Sequence, residues 1–193
     1  MNKQNKIYIL CGKSSAGKDT LAGLVKERLN LNFLISHSTR PMRENESEGN
    51  PYYFIDKIQF IDKVFDNDFI EYRSYTTNVN NKEDIWYYGL SKDSIKDDES
   101  YVGVLDIQGL KDFKRVYKDR VVSIYIEALE DTRTQRAMNR GSFNLTEWKR
   151  RLETDKKDFK DAYKVCDYVI HNDGDNIEIP FKNIYTIIRG NNK

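Results

Sequence analysis

The segment from residue 36 to residue 54, SHSTRPMRENESEGNPYYF, holds side chains that could bind an anion. Arg40 and Arg43 lie three positions apart, and Tyr52 follows after a run of glutamates and a glycine. Guanidinium groups match phosphate oxygens in pairs, and phenol hydroxyls donate hydrogen bonds without adding charge. A solvated charged loop above packed aromatic rings would contain the same residues. Considered alone, the segment supports both interpretations.

A second candidate for anion binding is the segment GKSSAGKDT, residues 12 to 20, which fits the pattern G-x-x-x-x-G-K. It follows a short apolar run and opens a helical pattern, which is the context that a phosphate-binding loop requires. Glycines let backbone N–H groups surround phosphate oxygens, the helix N-terminus adds partial positive charge, and Lys18 can reach the β and γ phosphates. A tight glycine turn with an incidental lysine is the alternative, and the coincidence of strand, glycines, lysine and helix argues against it. The residues predicted to bind ATP are Gly12, Lys13, Ser14, Ser15, Ala16, Gly17, Lys18, Asp19 and Thr20.

The loop departs from the common pattern at the position after the lysine. A serine or threonine there would place a hydroxyl on Mg²⁺, and this chain has Asp19 followed by Thr20. Asp19 could hold the metal through a water molecule, or Thr20 could face the phosphates instead. No dedicated metal site is predicted, and Mg²⁺ is expected to arrive with ATP.

The elements that must position these residues alternate between strands and helices. Apolar runs predict strands at 7–11, 69–75, 85–89, 101–107, 121–127 and 168–170. Helical spacing predicts a helix from Lys18, another around 58–65, a long one from Leu145 to Tyr163, and a C-terminal helix with Ile184, Ile187 and Ile188. This order is typical of an α/β fold with a largely parallel sheet flanked by helices. Residues from about 37 to 90 break the alternation and are interpreted as an insertion.

Composition excludes several classes of protein. The chain has 193 residues, 33% of them charged, with 32 Lys and Arg against 31 Asp and Glu. A net charge of +1 argues against a protein that coats nucleic acid. Cys11 and Cys166 are too few for a disulfide framework or a zinc site, which favours a reducing cytoplasm. The apolar run near the start is too short for a signal peptide, and no 18-residue apolar stretch predicts a membrane span.

A triphosphate site and a second anion site in one chain suggest a kinase that acts on a phosphorylated acceptor, and the chain resembles the guanylate kinase family. That family has the pattern S-x-T-T-R-x-P-R-x-G-E-x-x-G-x-x-Y-x-F, and residues 36–54 agree with it at Ser36, Thr39, Arg40, Arg43, Glu46, Gly49, Tyr52 and Phe54. Further matches follow in the family's order, namely FIE at 69–71, YYG at 87–89, D-x-Q-G at 106–109, R-x-x-x-R-G at 136–141 and VIHND at 169–173.

The resemblance implies the P-loop nucleoside monophosphate kinase fold and the transfer of a γ-phosphoryl group from ATP to GMP or dGMP. One domain is expected, with a core at 1–36 and 91–193, a small mixed insertion at about 37–90 that binds the monophosphate, and a helical lid at about 136–147. ATP and GMP or dGMP are the implied partners, with neither nucleic acid nor membrane.

The resemblance also implies roles for individual residues. Those that bind the acceptor phosphate would be Arg40, Arg43, Tyr52 and Tyr88, while Glu71 and Ser36 would contact the base. A carboxylate can accept from both N1–H and N2 of guanine, whereas adenine presents a lone pair there. The catalytic residues would be Lys18, Arg136, Arg140 and Arg151. Asn172 would contact the adenine of ATP, and Asp106 would organise Mg²⁺ water or the acceptor unless it only caps a helix.

Two departures leave the acceptor open. The family serine after the YG motif is Leu90 here, with Ser91 one position later, and the segment from Tyr72 to Tyr87 is longer than usual. A kinase for another or a broader range of (deoxy)nucleoside monophosphates is therefore an alternative. A non-catalytic protein-binding module of the same fold is a further alternative, although such modules lack the loop lysine and lid arginines that are present here. A nucleic-acid-directed ATPase fits the near-neutral charge less well.

Overall fold

The computed structural model describes residues 5–44, 46–79, 82–139 and 143–191, without the side chains of residues 78, 79 and 82. The chain divides into two compact units. The first unit comprises Met1–Phe33 and Glu99–Lys193, and the second comprises Leu34–Asp98. The insertion predicted at about 37–90 falls within the sequence range of the second unit.

The described part of the chain forms nine strands and seven α-helices. In chain order they are β1 Ile7–Cys11, α1 Lys18–Leu29, β2 Asn32–Phe33, β3 His37–Ser38, β4 Tyr53–Phe54, α2 Lys57–Phe65, β5 Phe69–Val79, β6 Lys82–Ser91, β7 Tyr101–Val104, α3 Ile107–Tyr117, β8 Val121–Glu127, α4 Glu130–Met138, α5 Leu145–Asp158, α6 Ala162–Val165, β9 Tyr168–His171 and α7 Glu178–Asn191.

A five-stranded parallel sheet forms the centre of the first unit, in the order β2-β7-β1-β8-β9. All five residues of β1 are buried, as are the first six of β8. Continuous burial without alternation is expected of a central parallel strand that is covered on both faces. The α/β class with a parallel sheet flanked by helices is thereby confirmed.

Helices α1 and α7 contribute to the main hydrophobic core of this unit. Leu21 and Val25 of α1 lie four residues apart, so they share one face of the helix, and Ile184 and Ile188 repeat that spacing in α7. All four side chains belong to one buried cluster together with residues of β1 and β8. The packing fixes the direction in which α1 leaves the loop that precedes it.

The second unit is a four-stranded sheet, in the order β4-β3-β6-β5, with α2 packed against it. Phe60 of α2 is 1% exposed, and its ring stacks on Phe69 with the centroids 4.6 Å apart. A Cβ atom on Gly89 would lie 3.0–3.1 Å from the rings of Phe60 and Phe69, so this position has little room for a side chain. The aromatic packing therefore covers one face of β5 and β6.

Several predicted bounds were wrong, although the elements exist. The strands predicted at 69–75 and 85–89 extend toward each other as a long antiparallel hairpin, because cross-strand pairing continues through the polar residues between them. The strand predicted to reach residue 107 ends at Val104, since Asp106 caps α3. The helix predicted from Leu145 to Tyr163 ends at Asp158, and the separate α6 follows.

No helix in the ranges that the structure describes combines the length and the apolar composition needed to cross a bilayer.

Candidate active site

The loop between β1 and α1 has a backbone that only small residues can form. A Cβ atom on Gly12 would lie 2.7 Å from the carbonyl oxygen of Ile126. Gly17 has φ +89°, and a Cβ atom there would lie 2.4 Å from Nδ2 of Asn172. Ser15 also has a positive φ of 61°. The close approach at Gly12 and the left-handed turn at Gly17 explain why glycine stands at both ends of the motif.

The N-terminus of α1 is open to an anion. Gly17 is the N-cap residue and provides no side-chain hydrogen bond to the first turn. The first N–H groups of a helix lack intrahelical partners, and they carry the positive end of the helix dipole. Lys18 lies at this end, with Nζ 3.5 Å from the carboxylate of Asp19. The side chains of Asp19 and Thr20 are exposed in the first turn.

Asn172 and Arg136 both lie close to Gly17, near the position that a Cβ atom would take there. Asn172 is 2% exposed and donates from Nδ2 to the carbonyl oxygen of Ala16, at 2.8 Å. Its Oδ1 atom and Nη1 of Arg136 are buried and have no hydrogen-bond partner among the described residues. Nη2 of Arg136 donates to the carbonyl oxygen of Gly174, at 3.1 Å. Asn172 thus holds the loop at Ala16, and Arg136 is fixed beside Gly17 by its bond to Gly174. The contact of Asn172 with the adenine of ATP stays a prediction.

Arg151 lies on the exposed side of α5. Its Nε donates to Glu147 at 2.9 Å, and Arg150 binds the same carboxylate through Nε and Nη2. These hydrogen bonds, that of Arg150 foremost, lower the pKa of Glu147 to about 2. Arg151 and Ser15 both line a cleft with a volume of about 120 Å³. Arg140 lies outside the residues that the structure describes.

Asp106 caps helix α3. Its Oδ1 accepts from the backbone N–H of Gly109 at 2.6 Å. A capping carboxylate satisfies one of the free N–H groups at the start of a helix. This arrangement corresponds to the helix-cap alternative, and a further role toward Mg²⁺ water or the acceptor stays a prediction.

Arg40 is the centre of the anion-binding cluster in the second unit. Its side chain is 4% exposed and forms a bidentate ion pair with Glu46, in which Nη1 lies 2.7 Å from Oε2 and Nη2 lies 2.5 Å from Oε1. The guanidinium also donates to the carbonyl oxygen of Pro41 and lies 5.1 Å from the ring centroid of Tyr52. The bond from Arg40 is the main reason that the pKa of Glu46 falls to about 2. Glu46 therefore holds the arginine in one orientation.

The other residues predicted to bind the acceptor phosphate gather around Arg40. The ring of Tyr88 lies 5.4 Å from that of Tyr52. Burial raises the pKa of Tyr88 above its usual value, against the opposing effect of the arginines Arg40 and Arg43. Arg43 itself is exposed, and its backbone N–H donates to Glu46. The structure thus brings Arg40, Tyr52 and Tyr88 together, with Arg43 at the margin.

The face of the β5–β6 hairpin that carries Tyr88 also carries Glu71. Glu71 is 8% exposed and pairs with Leu90 across the strands, and directly opposed residues share a face. Tyr88, two residues from Leu90, lies on that face because strand side chains alternate. Ser91 points to the other face, where its Oγ lies 3.3 Å from Nδ1 of His37. Ser91 therefore does not take the place of the serine that Leu90 replaces.

Ser36 lies just before β3. Its carbonyl oxygen accepts from the backbone N–H of Tyr53 at 3.0 Å, and its side chain is partly exposed. This hydrogen bond connects the two ends of the segment 36–54. The contact of Ser36 with a base stays a prediction.

Sequence reasoning missed two buried charged residues behind the phosphate-binding loop. Arg133 is 3% exposed and Asp155 is 7% exposed, and together they hold Ser14. They lie on different helices, 22 positions apart, in segments with the charge content of exposed helix faces. Nothing in their spacing points to a contact, so the sequence alone offered no signal.

Comparison with known proteins shows which family this chain resembles. The family model "Guanylate kinase" matches residues 4–190. A guanylate kinase of Chlorobaculum tepidum is 31% identical over 177 residues, covering 88% of this chain and 86% of that protein. One from Clostridium tetani is 31% identical over 167 residues, covering 84% of this chain and 73% of that protein.

A crystal structure of guanylate kinase from Anaplasma phagocytophilum has the same fold. It superposes with a TM-score of 0.70 at 24% identity and covers 100% of this chain and 88% of that chain. The family model and the curated relatives span both units of the chain, and they identify it as a member of the guanylate kinase family, the ATP-dependent nucleoside monophosphate kinases.

Proposed function

We propose that the protein transfers the γ-phosphoryl group of ATP to GMP or dGMP, giving ADP and the guanosine diphosphate. The observation that carries this proposal is the buried carboxylate of Glu71 on the same hairpin face as Tyr88, whose ring packs on Tyr52 beside Arg40. One face thus holds a group that can read a base and groups that can bind a phosphate. That combination suits a nucleoside monophosphate.

In this proposal the acceptor phosphate is bound by Arg40, Arg43, Tyr52 and Tyr88. The guanidinium of Arg40 is held in one orientation, because both of its Nη atoms donate to Glu46 and Nη1 also donates to the carbonyl oxygen of Pro41. A charged hydrogen bond to a phosphate oxygen contributes about 1.5–3 kcal/mol net. An arginine that is already oriented loses less side-chain entropy when the phosphate binds. The ion pair with Glu46 therefore supports binding of the acceptor by preparing Arg40 for it.

Glu71 is proposed to read the base, with Ser36 as a second contact. An ionised carboxylate only accepts hydrogen bonds, so it pairs with the N1–H and N2 amino groups of guanine and meets a lone pair in adenine. A site built on such polar pairing can discriminate by roughly 10⁴–10⁵. Leu90, directly opposite Glu71, adds no polar group to this pair.

ATP is proposed to bind at the loop from Gly12 to Thr20, with its phosphates at the N-terminus of α1. Lys18 would neutralise phosphate charge there. Mg²⁺ prefers oxygen ligands and is usually held by substrate phosphates with one or two protein groups. The exposed oxygen donors of Asp19 and Thr20 fit that requirement. When bound, the metal would neutralise charge on the phosphates.

Catalysis is proposed to rest on positioning and charge neutralisation. Transfer of a phosphoryl group asks for no covalent step from the protein. Arg136 is already packed beside Gly17, while Arg151 lies at the cleft beside Ser15. With Arg140 on the same predicted lid, these side chains would stabilise charge on the group in transit. The lid at about 136–147 and the insertion at about 37–90 remain part of the proposal.

The test is the formation of ADP from MgATP with GMP, dGMP, AMP, CMP, UMP and dTMP in parallel. We expect activity with GMP and dGMP only. Glu71→Gln should lower kcat/KM for GMP by at least about 100-fold, because one acceptor becomes a donor facing the guanine N–H groups. Glu83→Gln, an exposed carboxylate on the neighbouring strand, is the matched control and should leave kcat/KM unchanged.

A second candidate function is favoured by Leu90. An apolar side chain opposite Glu71 removes a hydrogen-bonding group from the base site and could widen the range of acceptors. Comparable rates with a second monophosphate would support this broader kinase and contradict the guanine assignment. ADP binding without turnover on any of the six acceptors would contradict both kinase proposals and favour the protein-binding module.

A further inference from the structure

The carboxylate of Asp155 in helix α5 accepts two hydrogen bonds from Ser14 of the phosphate-binding loop. Asp155 Oδ2 accepts from the backbone N–H of Ser14 at 2.9 Å, and Asp155 Oδ1 accepts from the hydroxyl of Ser14 at 3.2 Å. The N–H of Ser14 is thereby directed toward α5. It is not among the loop N–H groups that remain available to a phosphate.

Arg133 of helix α4 completes the arrangement. Its Nη1 donates to the carbonyl oxygen of Ser14 at 3.2 Å and to Asp155 Oδ2 at 3.1 Å. The side chains of Arg133 and Asp155 are only 3% and 9% exposed. Both backbone polar groups and the hydroxyl of Ser14 are therefore held by one buried ion pair. Nε of Arg133 is buried without a hydrogen-bond partner among the described residues.

The burial of this pair is costly, so its position needs a reason. Replacing a buried ion pair by apolar side chains of similar volume is often neutral or stabilising, which makes the pair weak evidence for stability. Its contacts are made to a loop whose next residue, Ser15, has a positive φ of 61°. A non-glycine residue keeps such a conformation when the surrounding structure enforces it. Fixing Ser14 fixes the backbone that enters this turn.

The same two residues connect the loop to the helices that carry the arginines of the proposed mechanism. Arg133 precedes Arg136 by three residues in α4, and Asp155 follows Arg151 by four residues in α5. Residues three or four apart lie on neighbouring positions of one helix face. A single buried pair thus joins the loop, α4 and α5.

We infer that Arg133 and Asp155 are positioning residues for ATP, which hold the loop at Ser14 in the conformation that binds phosphate and keep it in register with α4 and α5. The inference deepens the proposed function and rests on it for the identity of the nucleotide. Neither residue touches the substrate in this role; they act through Ser14.

A purely structural pair would behave differently from a positioning pair. The double variant Arg133→Met/Asp155→Leu removes both charges together and leaves neither buried alone. If the pair only packs the helices, this variant should fold and bind nucleotide as the wild type does. If the pair positions the loop, the variant should fold but bind nucleotide poorly.

The experiment is titration calorimetry with ADP, combined with steady-state kinetics and thermal unfolding. We expect ADP affinity to fall by about 10- to 100-fold and KM for ATP to rise by a similar factor. KM for GMP should stay within about twofold, and unfolding should stay cooperative. An ADP affinity within about twofold of wild type in a folded double variant would overturn the inference.

The chain offers a matched control on the same sheet. Asp167 Oδ2 accepts from the backbone N–H and the hydroxyl of Ser123, at 2.8 and 2.7 Å, and Lys114 pairs with the same carboxylate at 2.8 Å. Lys114→Met/Asp167→Leu therefore removes a similar carboxylate hold on one serine, which lies on β8 and not on the loop, although this pair is more exposed, at 29% and 42%. This control should leave ADP affinity unchanged, and an equal loss in both double variants would contradict a specific role at Ser14.

A conservative single variant covers the case in which the double variant does not fold. Asp155→Asn keeps the shape and one acceptor but removes the charge that orients Arg133. It should weaken ADP binding by about threefold or more, and wild-type affinity would overturn the inference. Because ADP titration needs no acceptor, a wild type that binds ADP but phosphorylates no monophosphate would reject the proposed function separately.

Discussion

At the scale of single residues, the two arginines on Glu147 separate a proposed catalytic side chain from its neighbour. Arg150 and Arg151 bind the same carboxylate and are 59% and 53% exposed. Only Arg151 lines the cleft beside Ser15. Replacing either arginine removes an ion pair with Glu147. A difference in turnover between the two variants therefore cannot come from the loss of that contact.

We predict that Arg151→Ala lowers kcat by about 10³ and changes KM for ATP by less than about threefold. The reason is that an arginine acting on the transferred group contributes mainly in the transition state. Steady-state kinetics with saturating GMP measure both quantities. Arg150→Ala is the control and should keep wild-type kcat. Equal kcat values for the two variants would remove Arg151 from the mechanism.

Glu46 provides a residue-scale prediction about acid stability. Arg40 lowers the pKa of Glu46 from 4.5 to about 2 in the folded protein. A lowered pKa means that the ionised form stabilises the fold above pH 4.5, and this contribution is lost as the pH falls toward 2. Removing the carboxylate removes the pH-dependent contribution.

We therefore expect the thermal midpoint of Glu46→Gln to lie below that of the wild type at pH 7, and the difference to shrink between pH 4.5 and pH 2. Thermal unfolding followed by circular dichroism from pH 7 to pH 3 measures it. Glu44→Gln, an exposed glutamate two residues away, should keep the wild-type profile. A constant difference between Glu46→Gln and the wild type across this range would contradict the assignment.

At the scale of elements, helix α1 and its N-cap position include two glycines with opposite requirements, Gly17 at the cap and Gly23 within the helix. Gly17 has φ +89° and no room for a Cβ atom beside Asn172, whereas a Cβ atom on Gly23 meets nothing within 4 Å. Glycine within a helix is less favourable than alanine by roughly 0.5–1 kcal/mol. A Gly→Ala substitution should therefore lower the free energy of unfolding at Gly17 and raise it at Gly23.

We predict that Gly17→Ala destabilises the protein by about 1–3 kcal/mol and weakens ADP binding. Gly23→Ala should stabilise it by about 0.5–1 kcal/mol without changing ADP affinity. Urea unfolding and ADP titration measure the two effects. Stabilisation by Gly17→Ala would mean that the left-handed turn at the start of α1 is not the conformation in solution.

At the scale of the whole molecule, charge is balanced overall and concentrated locally. The net charge is +1, yet each unit contains a cluster of cationic groups or N–H donors suited to a small anion. Each unit also has packed apolar side chains of its own, with the parallel sheet and its helices in one and the aromatic packing around Phe60 in the other. The family model spans both units, so neither is an addition to an otherwise complete member of the family.

Sequence by itself determined the elements whose local signals are strong. Strands β1 and β8 were predicted with their observed bounds, because uninterrupted apolar runs between turn residues leave few alternatives. The glycine loop was predicted for the same local reason: a strand, two glycines, a lysine and a helix follow one another. The family resemblance supplied the candidate residues of the second unit, and Arg40, Tyr52 and Tyr88 do lie together.

Tertiary structure alone decided which partners those residues have. The pairing of Arg40 with Glu46, the exclusion of Ser91 from the face of Glu71, and the hold of Arg133 and Asp155 on Ser14 all depend on contacts that no local pattern encodes. A charged side chain in an amphipathic helix looks the same in sequence whether it faces water or a buried partner. Only packing decides between these cases, because desolvation and pairing are properties of the surroundings and not of the residue.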